Sequence, residues 1–328
     1  MEKLSRKALI TGITGQDGRH LTQLLLEKDY QVIGLTQNKA SKSVFEFKRM
    51  FPNIELLEAP LENFESIYDS IRVVRPAEIY NLGAISFVGT DIAKSEEIAN
   101  VTGNGFVRIA ESVRRLYPES DVKIYQASTS EMFGSIPEFP QSETTKFMPT
   151  SAYGAAKVFA HQMARIYRES HDLFITSGIL FNHEGEFRRH EYVTRKITSN
   201  VAKVKLGKIE RFSLGDLEAE RDWGYAGDFV EAIWKMMQHE NPDEFVVATG
   251  ILHSVREFVE VALEAAGLEP DVEKYVEHDS SLLRKSSIRR LVGDSSKAAK
   301  VLNWKPKVEF EEMVQIMVNH DIQVESKG

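Results

Sequence analysis

The segment KALITGITGQDG, residues 7–18, decides the fold class of this chain. It opens with a short apolar run typical of a buried strand, and Gly12, Gly15 and Gly18 follow directly. Residues 20–28 then show the apolar periodicity of a helix. A strand, a glycine turn and a helix in this order are the setting of the dinucleotide fingerprint, where glycines let a pyrophosphate approach the free N–H groups of the helix. We therefore predict an α/β fold with a dinucleotide site at its first turn.

Strand and helix patterns alternate from this turn to about residue 180. The alternation predicts a Rossmann-type doubly wound parallel sheet, and the mixed pattern that follows suits a smaller mixed α/β substrate-binding domain. The predicted strands are residues 31–35, 54–57, 78–82, 122–127, 173–180, 209–214 and 245–248. The predicted helices are residues 44–51, 65–74, 98–116, 153–170, 193–206, 229–238, 255–266 and 310–318. The Rossmann domain is expected at residues 1–180 with about 212–240 and 290–303, and the substrate-binding domain at about 181–211, 241–289 and 304–328.

The composition excludes several classes of protein. The chain has 328 residues, of which 42% are hydrophobic, enough for one large domain or two modest ones. Its 49 acidic residues exceed its 41 Lys and Arg, so the net charge of −8 argues against a nucleic-acid-binding surface. No apolar run approaches ~18 residues, so no membrane span is expected. The absence of cysteine excludes disulfides and thiolate metal sites and fits a cytoplasmic protein, and we predict no metal site.

Two short motifs carry the candidate chemistry, Ser128-Thr-Ser-Glu131 and Tyr153-Gly-Ala-Ala-Lys157. The four-residue spacing places Tyr153 and Lys157 on one face of a helix, one turn apart. An ammonium beside a phenol favours the phenolate, so we expect the pKa of Tyr153 to fall from ~10 toward neutrality. The phenolate could then take the proton from a sugar hydroxyl while hydride leaves the same carbon.

Thr129 and Glu131 follow an apolar run at residues 122–127. We expect both at the carboxyl end of a strand, where open α/β sheets hold their active-site crevice. A plain alcohol dehydrogenase does not need the additional carboxylate that Glu131 provides. Its presence indicates a second proton transfer and therefore a lyase.

The end of the second predicted strand leaves the choice of dinucleotide open. A carboxylate there would bind the ribose 2′-OH of NAD, whereas an Arg would pair with the 2′-phosphate of NADP. The chain has Thr36 and Gln37 at this point, which are neither. Lys39 and Lys42 could serve a phosphate, but they are equally consistent with solvated loop lysines.

In their order and spacing, these motifs resemble the extended short-chain dehydrogenase/reductase superfamily and, within it, the GDP-mannose 4,6-dehydratase family. The resemblance runs over nearly the whole chain. It implies the Rossmann fold and a 4,6-dehydratase that acts on GDP-mannose or on a close analogue such as a GDP-manno-heptose. It is most specific at residues 12–18, 126–134, 149–157, 178–198 and 213–232, and it extends to residues 248–260 and 293–308.

The resemblance implies a role for each catalytic residue. Tyr153 would take the 4-OH proton of the sugar as hydride passes from C4 to the nicotinamide, with Thr129 hydrogen-bonded to the same oxygen. Glu131 would remove the C5 proton, which the 4-ketone makes acidic, and water would leave from C6. Hydride would then return to C6. Lys157 would hold the nicotinamide ribose as well as tune Tyr153.

The resemblance also implies the binding residues. It predicts NADP as the cofactor with NAD as the alternative, a GDP-sugar as the partner, and a homodimer or homotetramer as the assembly. For Arg221 an ion pair within Glu220-Arg221-Asp222 is the structural alternative. The cofactor-binding positions are Gly12, Thr14, Gly15, Gln16, Asp17, Gly18, Gln37, Leu61, Leu82, Gly83, Ala84, Ser86, Tyr153, Lys157, His183 and Arg188. The substrate-binding positions are Ser130, Asn182, Lys196, Arg221 and Arg284.

Several residues depart from the pattern of the family. Gln37 and Asn38 stand where family members usually carry two Arg, and Pro60 replaces an acidic residue that normally meets the adenine. Ile85 and Phe87 replace a Gln and a His near the substrate. The catalytic motifs are intact while the adenosine-binding positions have changed. We therefore interpret the chain as a divergent relative whose sugar nucleotide could differ.

Two other functions stay open from the sequence. A reductase of a GDP-4-keto-6-deoxy sugar shares the fold and the Tyr/Lys pair, although residues 16–17 and 185–187 differ from those that such reductases often carry. A dinucleotide-binding regulator without activity is disfavoured because all four catalytic residues are present. The first two functions differ in stoichiometry, since a dehydratase regenerates its cofactor and a reductase consumes one NADPH per product.

Overall fold

The computed structural model of the chain describes residues 6–86, 92–118, 122–282 and 290–327. Its strands are β1 (Lys7–Thr11), β2 (Gln31–Thr36), β3 (Glu55–Glu58), β4 (Glu78–Asn81), β5 (Lys123–Thr129), β6 (Ile175–Leu180), β7 (Asn182–Glu184), β8 (Phe212–Leu214), β9 (Glu220–Arg221), β10 (Trp223–Tyr225), β11 (Glu244–Val247), β12 (His253–Ser254) and β13 (Val276–His278). Its α-helices are α1 (Gln16–Glu27), α2 (Lys42–Met50), α3 (Phe64–Val74), α4 (Ser95–Ile98), α5 (Asn104–Leu116), α6 (Ala152–His171), α7 (Val193–Lys205), α8 (Ala226–Gln238), α9 (Val255–Ala265), α10 (Val272–Tyr275), α11 (Ser296–Leu302) and α12 (Phe310–Glu325).

A seven-stranded parallel sheet confirms the predicted Rossmann-type doubly wound fold. Its strand order is β11-β6-β5-β4-β1-β2-β3, and every neighbouring pair runs parallel. The order reverses between β1 and β4, which opens a crevice at the carboxyl ends of these strands. The glycine turn after β1, residues 82–86 after β4 and Thr129 at the end of β5 are therefore brought to this crevice.

Apolar layers cover both faces of the sheet. On one face α1, α2 and α8 contribute Leu21, Phe47 and Phe229 to a single buried cluster. On the other face α3 and α5 bury residues such as Ile67 and Phe106. The strands are buried from both sides, which explains why they appear in the sequence as continuous rather than alternating apolar runs.

The smaller region has an apolar core of its own. Helices α7, α9 and α12 pack together with β8 and β13 around side chains such as Phe258 and Val314. The Arg195 guanidinium on α7 lies 2.7 Å from the Asp321 carboxylate on α12, and both side chains are buried. Thr198 donates to the same carboxylate at 2.6 Å, so a fully partnered ion pair joins these two helices.

The structure divides the chain differently from the predicted domain boundaries. Strand β11, which we predicted within the substrate-binding residues 241–289, pairs with β6 as an edge strand of the main sheet. Strand β8, which we predicted within the Rossmann residues 212–240, instead pairs with β13 and joins the core of the smaller region. An apolar run of three or four residues fits either sheet, so its partner is decided by tertiary packing.

Helix α6 carries the predicted Tyr/Lys motif and has 20 residues. It starts where Ser151 accepts the Gly154 N–H at 3.0 Å, a side-chain cap that satisfies one free donor of the first turn. The predicted helix at residues 98–116 is interrupted, because a π-helical turn at Ala99–Gly103 separates α4 from α5. Within the described ranges, no helix combines the length and apolar composition needed to cross a membrane.

Candidate active site

The glycine turn is shaped by close backbone approaches. Gly12 has φ +67°, and a Cβ on it would lie 2.8 Å from the Gly83 nitrogen. A Cβ on Gly18 would lie 2.4 Å from the Ile13 carbonyl oxygen. Gly15 precedes α1 without a side-chain cap on the first N–H groups of the helix. These uncapped donors, in a turn that only glycine can form, fit the pyrophosphate of a dinucleotide.

A buried hydrogen-bond chain fixes the strand ends around this turn. Thr11 Oγ1 donates to Asn81 Oδ1 at 2.7 Å, and Asn81 Nδ2 donates to Gln126 Oε1 at 2.7 Å. The Gly83 N–H in turn donates to Thr11 Oγ1 at 2.9 Å. These hydrogen bonds link β1, β4 and β5 directly beneath the crevice. The sequence predictions missed Thr11, Asn81 and Gln126, although polar side chains near the ends of three buried strands are a detectable signal.

The residues after β4 and β3 form the next part of the crevice. Leu82, Gly83 and Ala84 follow β4 directly. A Cβ on Gly83 would lie 2.8 Å from Leu61 Cδ1, so Leu61 packs against this turn. Gln37, after β2, donates from Nε2 to Glu62 Oε1 at 3.4 Å on the exposed side.

The four predicted catalytic residues come from two elements that approach closely. Thr129 ends β5, and Glu131 follows in a short 3₁₀ turn whose Glu131 N–H donates to Thr129 Oγ1 at 3.3 Å. A Cβ on Gly154 would lie 2.7 Å from the Glu131 carbonyl oxygen, so the first turn of α6 lies against this segment. Tyr153 stands beside Gly154, and Lys157 lies one turn further along the helix.

The electrostatics of Tyr153 differ from our prediction. Burial raises its pKa above the usual value, and the charges of Tyr192 and Glu131 add to this, while a hydrogen bond with Thr129 lowers it. Lys157 is buried, which lowers its own pKa to about 8, and its Nζ donates to the Ala127 carbonyl at 2.7 Å. The predicted fall in the Tyr153 pKa is therefore wrong for this structure. Desolvation outweighs the effect of an ammonium that is directed at a backbone carbonyl.

A half-buried polar cluster joins the glycine turn to β7. His183 Nε2 lies 3.0 Å from Asp17 Oδ2, and Gln16 Nε2 donates to the His183 carbonyl at 3.0 Å. Burial alone would raise the pKa of Asp17, but His183 outweighs it and holds that pKa well below its usual range. Burial would likewise lower the pKa of His183, but Asp17 outweighs it and raises that pKa. Three predicted cofactor-binding residues therefore contact one another as an ion pair with a supporting amide.

Arg188 and Ser86 reach the crevice together. Arg188 Nε lies 2.9 Å from the buried carboxylate of Glu184, and its guanidinium lies 3.6 Å from the centre of the Tyr192 ring. The Tyr192 hydroxyl is 2.9 Å from Ser86 Oγ. Tyr192 raises and Arg188 lowers the pKa of Tyr153, so both side chains lie near the candidate catalytic phenol.

The predicted substrate-binding residues are spread over four described elements and one undescribed segment. Ser130 is buried after β5, Asn182 begins β7, and Lys196 lies on α7. Arg221, on β9, pairs in register with His253 on β12. Arg284 lies outside the described residues.

The structural alternative predicted for Arg221 was an ion pair with Glu220 or Asp222. The carboxylates of both neighbours have other partners. Glu220 forms an ion pair with Arg290. The Asp222 carboxylate accepts the N–H groups of Thr249, Gly250 and Gly293 at 2.8, 2.8 and 3.2 Å. Asp222 therefore holds the loop after β11 and the segment before α11 together.

The comparisons with known proteins agree with the resemblance seen in the sequence. Residues 9–317 match the family described as GDP-mannose 4,6 dehydratase. The human GDP-mannose 4,6 dehydratase is 42% identical over 347 residues, covering 99% of this chain and 93% of that protein. The chain belongs to the GDP-mannose 4,6-dehydratase family. Its predicted family is thereby confirmed.

Solved structures support the same fold at lower sequence identity. The Thermus thermophilus UDP-glucose 4-epimerase in complex with NAD has a TM-score of 0.83 and 24% identity, covering 96% of this chain and 98% of that one. RMD from Pseudomonas aeruginosa, complexed with NADPH, has a TM-score of 0.81 and 17% identity, covering 98% of this chain and 100% of that one. The family fold thus extends over nearly all of this chain.

Proposed function

We propose that this protein is a nucleotide-sugar 4,6-dehydratase, a hydro-lyase that converts GDP-mannose, or a close analogue such as a GDP-manno-heptose, into the GDP-4-keto-6-deoxy sugar. The observation that carries the proposal is the packing of Gly154 on the Glu131 backbone, at the carboxyl end of β5. The contact supports the proposal because it brings the segment of Thr129 and Glu131 against the first turn of the helix that carries Tyr153. Family membership across residues 9–317 supports the choice of substrate.

A nicotinamide dinucleotide is the cofactor in this proposal. The uncapped start of α1 and the turn that requires Gly12 would hold its pyrophosphate, and Lys157 would hold its nicotinamide ribose. When bound, the nicotinamide accepts hydride from C4 of the sugar and returns it at C6. The resemblance implies NADP with NAD as the alternative, and the choice depends on the residues beside the adenosine ribose.

The side chains of the crevice would handle the protons. Tyr153 takes the proton of the 4-OH as the C4–H bond breaks, and Thr129 lowers the pKa of that phenol through a hydrogen bond. Glu131 takes the proton from C5, which is acidic once C4 is a ketone, and a proton is delivered to the departing 6-OH to form water. After hydride reaches C6, C5 regains a proton, so the net change is loss of one water.

We propose a cytoplasmic homodimer or homotetramer as the working form. Phe159 and Ile166 lie seven residues apart on α6 and are 45% and 43% exposed. Exposed apolar side chains on one helix face are typical of an interface between subunits.

The test is a stoichiometric assay. Purified protein is incubated with GDP-mannose, a GDP-heptose and a UDP-hexose, each with a sub-stoichiometric amount of dinucleotide, and product masses are read. We expect loss of one water from a GDP-sugar with many turnovers per dinucleotide. Consumption of one reduced dinucleotide per product from a 4-keto sugar, with no dehydration, would show a reductase instead.

A further inference from the structure

Two carboxylates, one at the end of β3 and one shortly after it, lie beside the end of β2, where a dinucleotide fold binds the adenosine ribose. Thr36, the last residue of β2, stands in register with Glu58, the last residue of β3. Glu58 Oε2 accepts the Lys39 N–H at 3.0 Å, which holds its carboxylate against the loop after β2. Glu62 Oε1 accepts from the amide of Gln37 at 3.4 Å. We call Thr36–Asn38, Glu58 and Glu62 the ribose corner.

Two lysines near this corner have other partners. Lys42 Nζ lies 3.8 Å from Glu46, one turn along α2. Lys48 Nζ donates to the Pro52 carbonyl at 3.0 Å. No Arg stands within Thr36–Asn38, and Lys39 is the cation adjacent to the corner in sequence.

The amides at the corner are also engaged. Asn38 Oδ1 accepts the Ala40 N–H at 2.7 Å, a local turn that orders the loop before α2. Gln37 already donates to Glu62. The corner therefore presents two solvent-exposed carboxylates and no guanidinium fork, and it can accept hydrogen bonds from hydroxyl groups.

We propose that this corner excludes a 2′-phosphate, so that the chain binds NAD in preference to NADP, contrary to what its family resemblance implies. The inference rests on the proposed function, since it concerns the same dinucleotide site. In dinucleotide folds a carboxylate at the end of the second strand accepts a hydrogen bond from the ribose 2′-OH, whereas an Arg accommodates a 2′-phosphate. Here the second strand ends at Thr36, and the carboxylates beside that end are Glu58, the last residue of β3, and Glu62, which accepts from Gln37. A phosphate monoester carries about −2 charge at neutral pH, which Glu58 and Glu62 repel. Both carboxylates are exposed and partly screened, so we expect a preference of about tenfold.

The experiment measures binding rather than turnover. The apoprotein is titrated with NAD and with NADP by calorimetry, at low and at high ionic strength. NAD should bind at least about tenfold more tightly than NADP at low ionic strength. High ionic strength should reduce this difference in affinity, because salt screens the repulsion of the 2′-phosphate. The double variant Glu58→Gln/Glu62→Gln should reduce the NAD/NADP affinity ratio to near one.

Glu55→Gln is the matched control. Glu55 is an exposed acid on the same strand, three residues before Glu58, and this variant should keep the wild-type affinity ratio. Thermal unfolding of every variant checks that each is folded. Tighter binding of NADP than of NAD, equal binding, or an unchanged ratio in the double variant would overturn the inference. Failure of both dinucleotides to bind would overturn the proposed function and this inference with it.

Discussion

At the scale of single residues, Tyr153 is the group on which the proposed first proton transfer depends. Its pKa is raised mainly by burial, so the neutral phenol is favoured until neighbouring groups stabilise the phenolate. We expect Tyr153→Phe to lower turnover by roughly 10²–10⁴-fold, the usual loss of a general base. Steady-state rates with GDP-mannose check this.

Tyr167→Phe is a control on the same helix for that experiment. The Tyr167 hydroxyl contacts Glu111 at 3.4 Å, so its loss should leave turnover near the wild-type value. Near-normal activity of Tyr153→Phe would remove this residue from the mechanism.

Glu131 should separate the two halves of the reaction. A neutral amide in Glu131→Gln cannot take the C5 proton, whereas Tyr153 can still take the proton of the 4-OH. We expect reduced nicotinamide and a 4-keto sugar to accumulate on the enzyme, which stopped-flow absorbance and product mass would show. Normal dehydration by Glu131→Gln would instead contradict the lyase assignment and favour a reductase.

At the scale of elements, a buried polar chain joins β5, α6 and β11. Ser128 Oγ lies 2.8 Å from His161 Nδ1, and His161 Nε2 lies 3.3 Å from the Glu244 carboxylate. Arg168 completes the chain at 2.8 Å from Glu244. Ser128 and Thr129 are neighbours on β5, while His161 and Arg168 share α6 with Tyr153. These contacts therefore hold together the strand and the helix that carry the candidate catalytic side chains.

The stability of the folded protein should depend on pH through Glu244. Burial would raise its pKa, but His161 and Arg168 outweigh it and lower the pKa to about 2. Because the pKa is depressed in the folded state, the stabilisation is fully present above the unfolded value of ~4.3 and is lost as pH falls toward about 2. We expect Glu244→Gln to lower the free energy of unfolding by roughly 2–3 kcal/mol at pH 7.

Denaturant unfolding at pH 7 and at pH 3 would measure this difference. The difference in the free energy of unfolding between the wild type and Glu244→Gln should be smaller at pH 3, since ionised Glu244 is the source of the stabilisation. Glu240→Gln, at an exposed position just before β11, should have the same free energy of unfolding as the wild type at both pH values. A gap of the same size at both pH values would show that charge is not the cause.

At the scale of the whole molecule, the exposed face of α6 predicts self-association. Phe159→Asp combined with Ile166→Asp should convert a dimer or tetramer into smaller species, because charges at an apolar interface are costly to bury. Light scattering on the gel-filtered protein gives the mass. Val73→Asp, at a 68% exposed position on α3, is the matched control. A monomeric wild-type protein, or a double variant of unchanged mass, would contradict the proposed interface.

The sequence by itself determined the fold class and the family, and it predicted four candidate catalytic positions. Residues 7–18 predict the first strand, turn and helix because glycine conformation and apolar periodicity are local properties. The spacing of Tyr153 and Lys157 predicts a shared helix face for the same reason. These predictions did not need knowledge of distant contacts.

Only the tertiary structure decided the partners of polar groups and of short strands. Strand β11 pairs with β6 in the main sheet, and β8 pairs with β13 outside it, whereas we predicted the opposite assignment. A short apolar run can pair in either sheet, so tertiary packing decides its partner. The pKa of Tyr153 is raised because its side chain is buried. The spacing between two residues in the sequence cannot reveal that burial. Glu58 faces the loop after β2 only because β3 lies in register beside it, some twenty residues away in sequence. Such contacts depend on pairing between distant segments, and that pairing is set by the global packing of the chain.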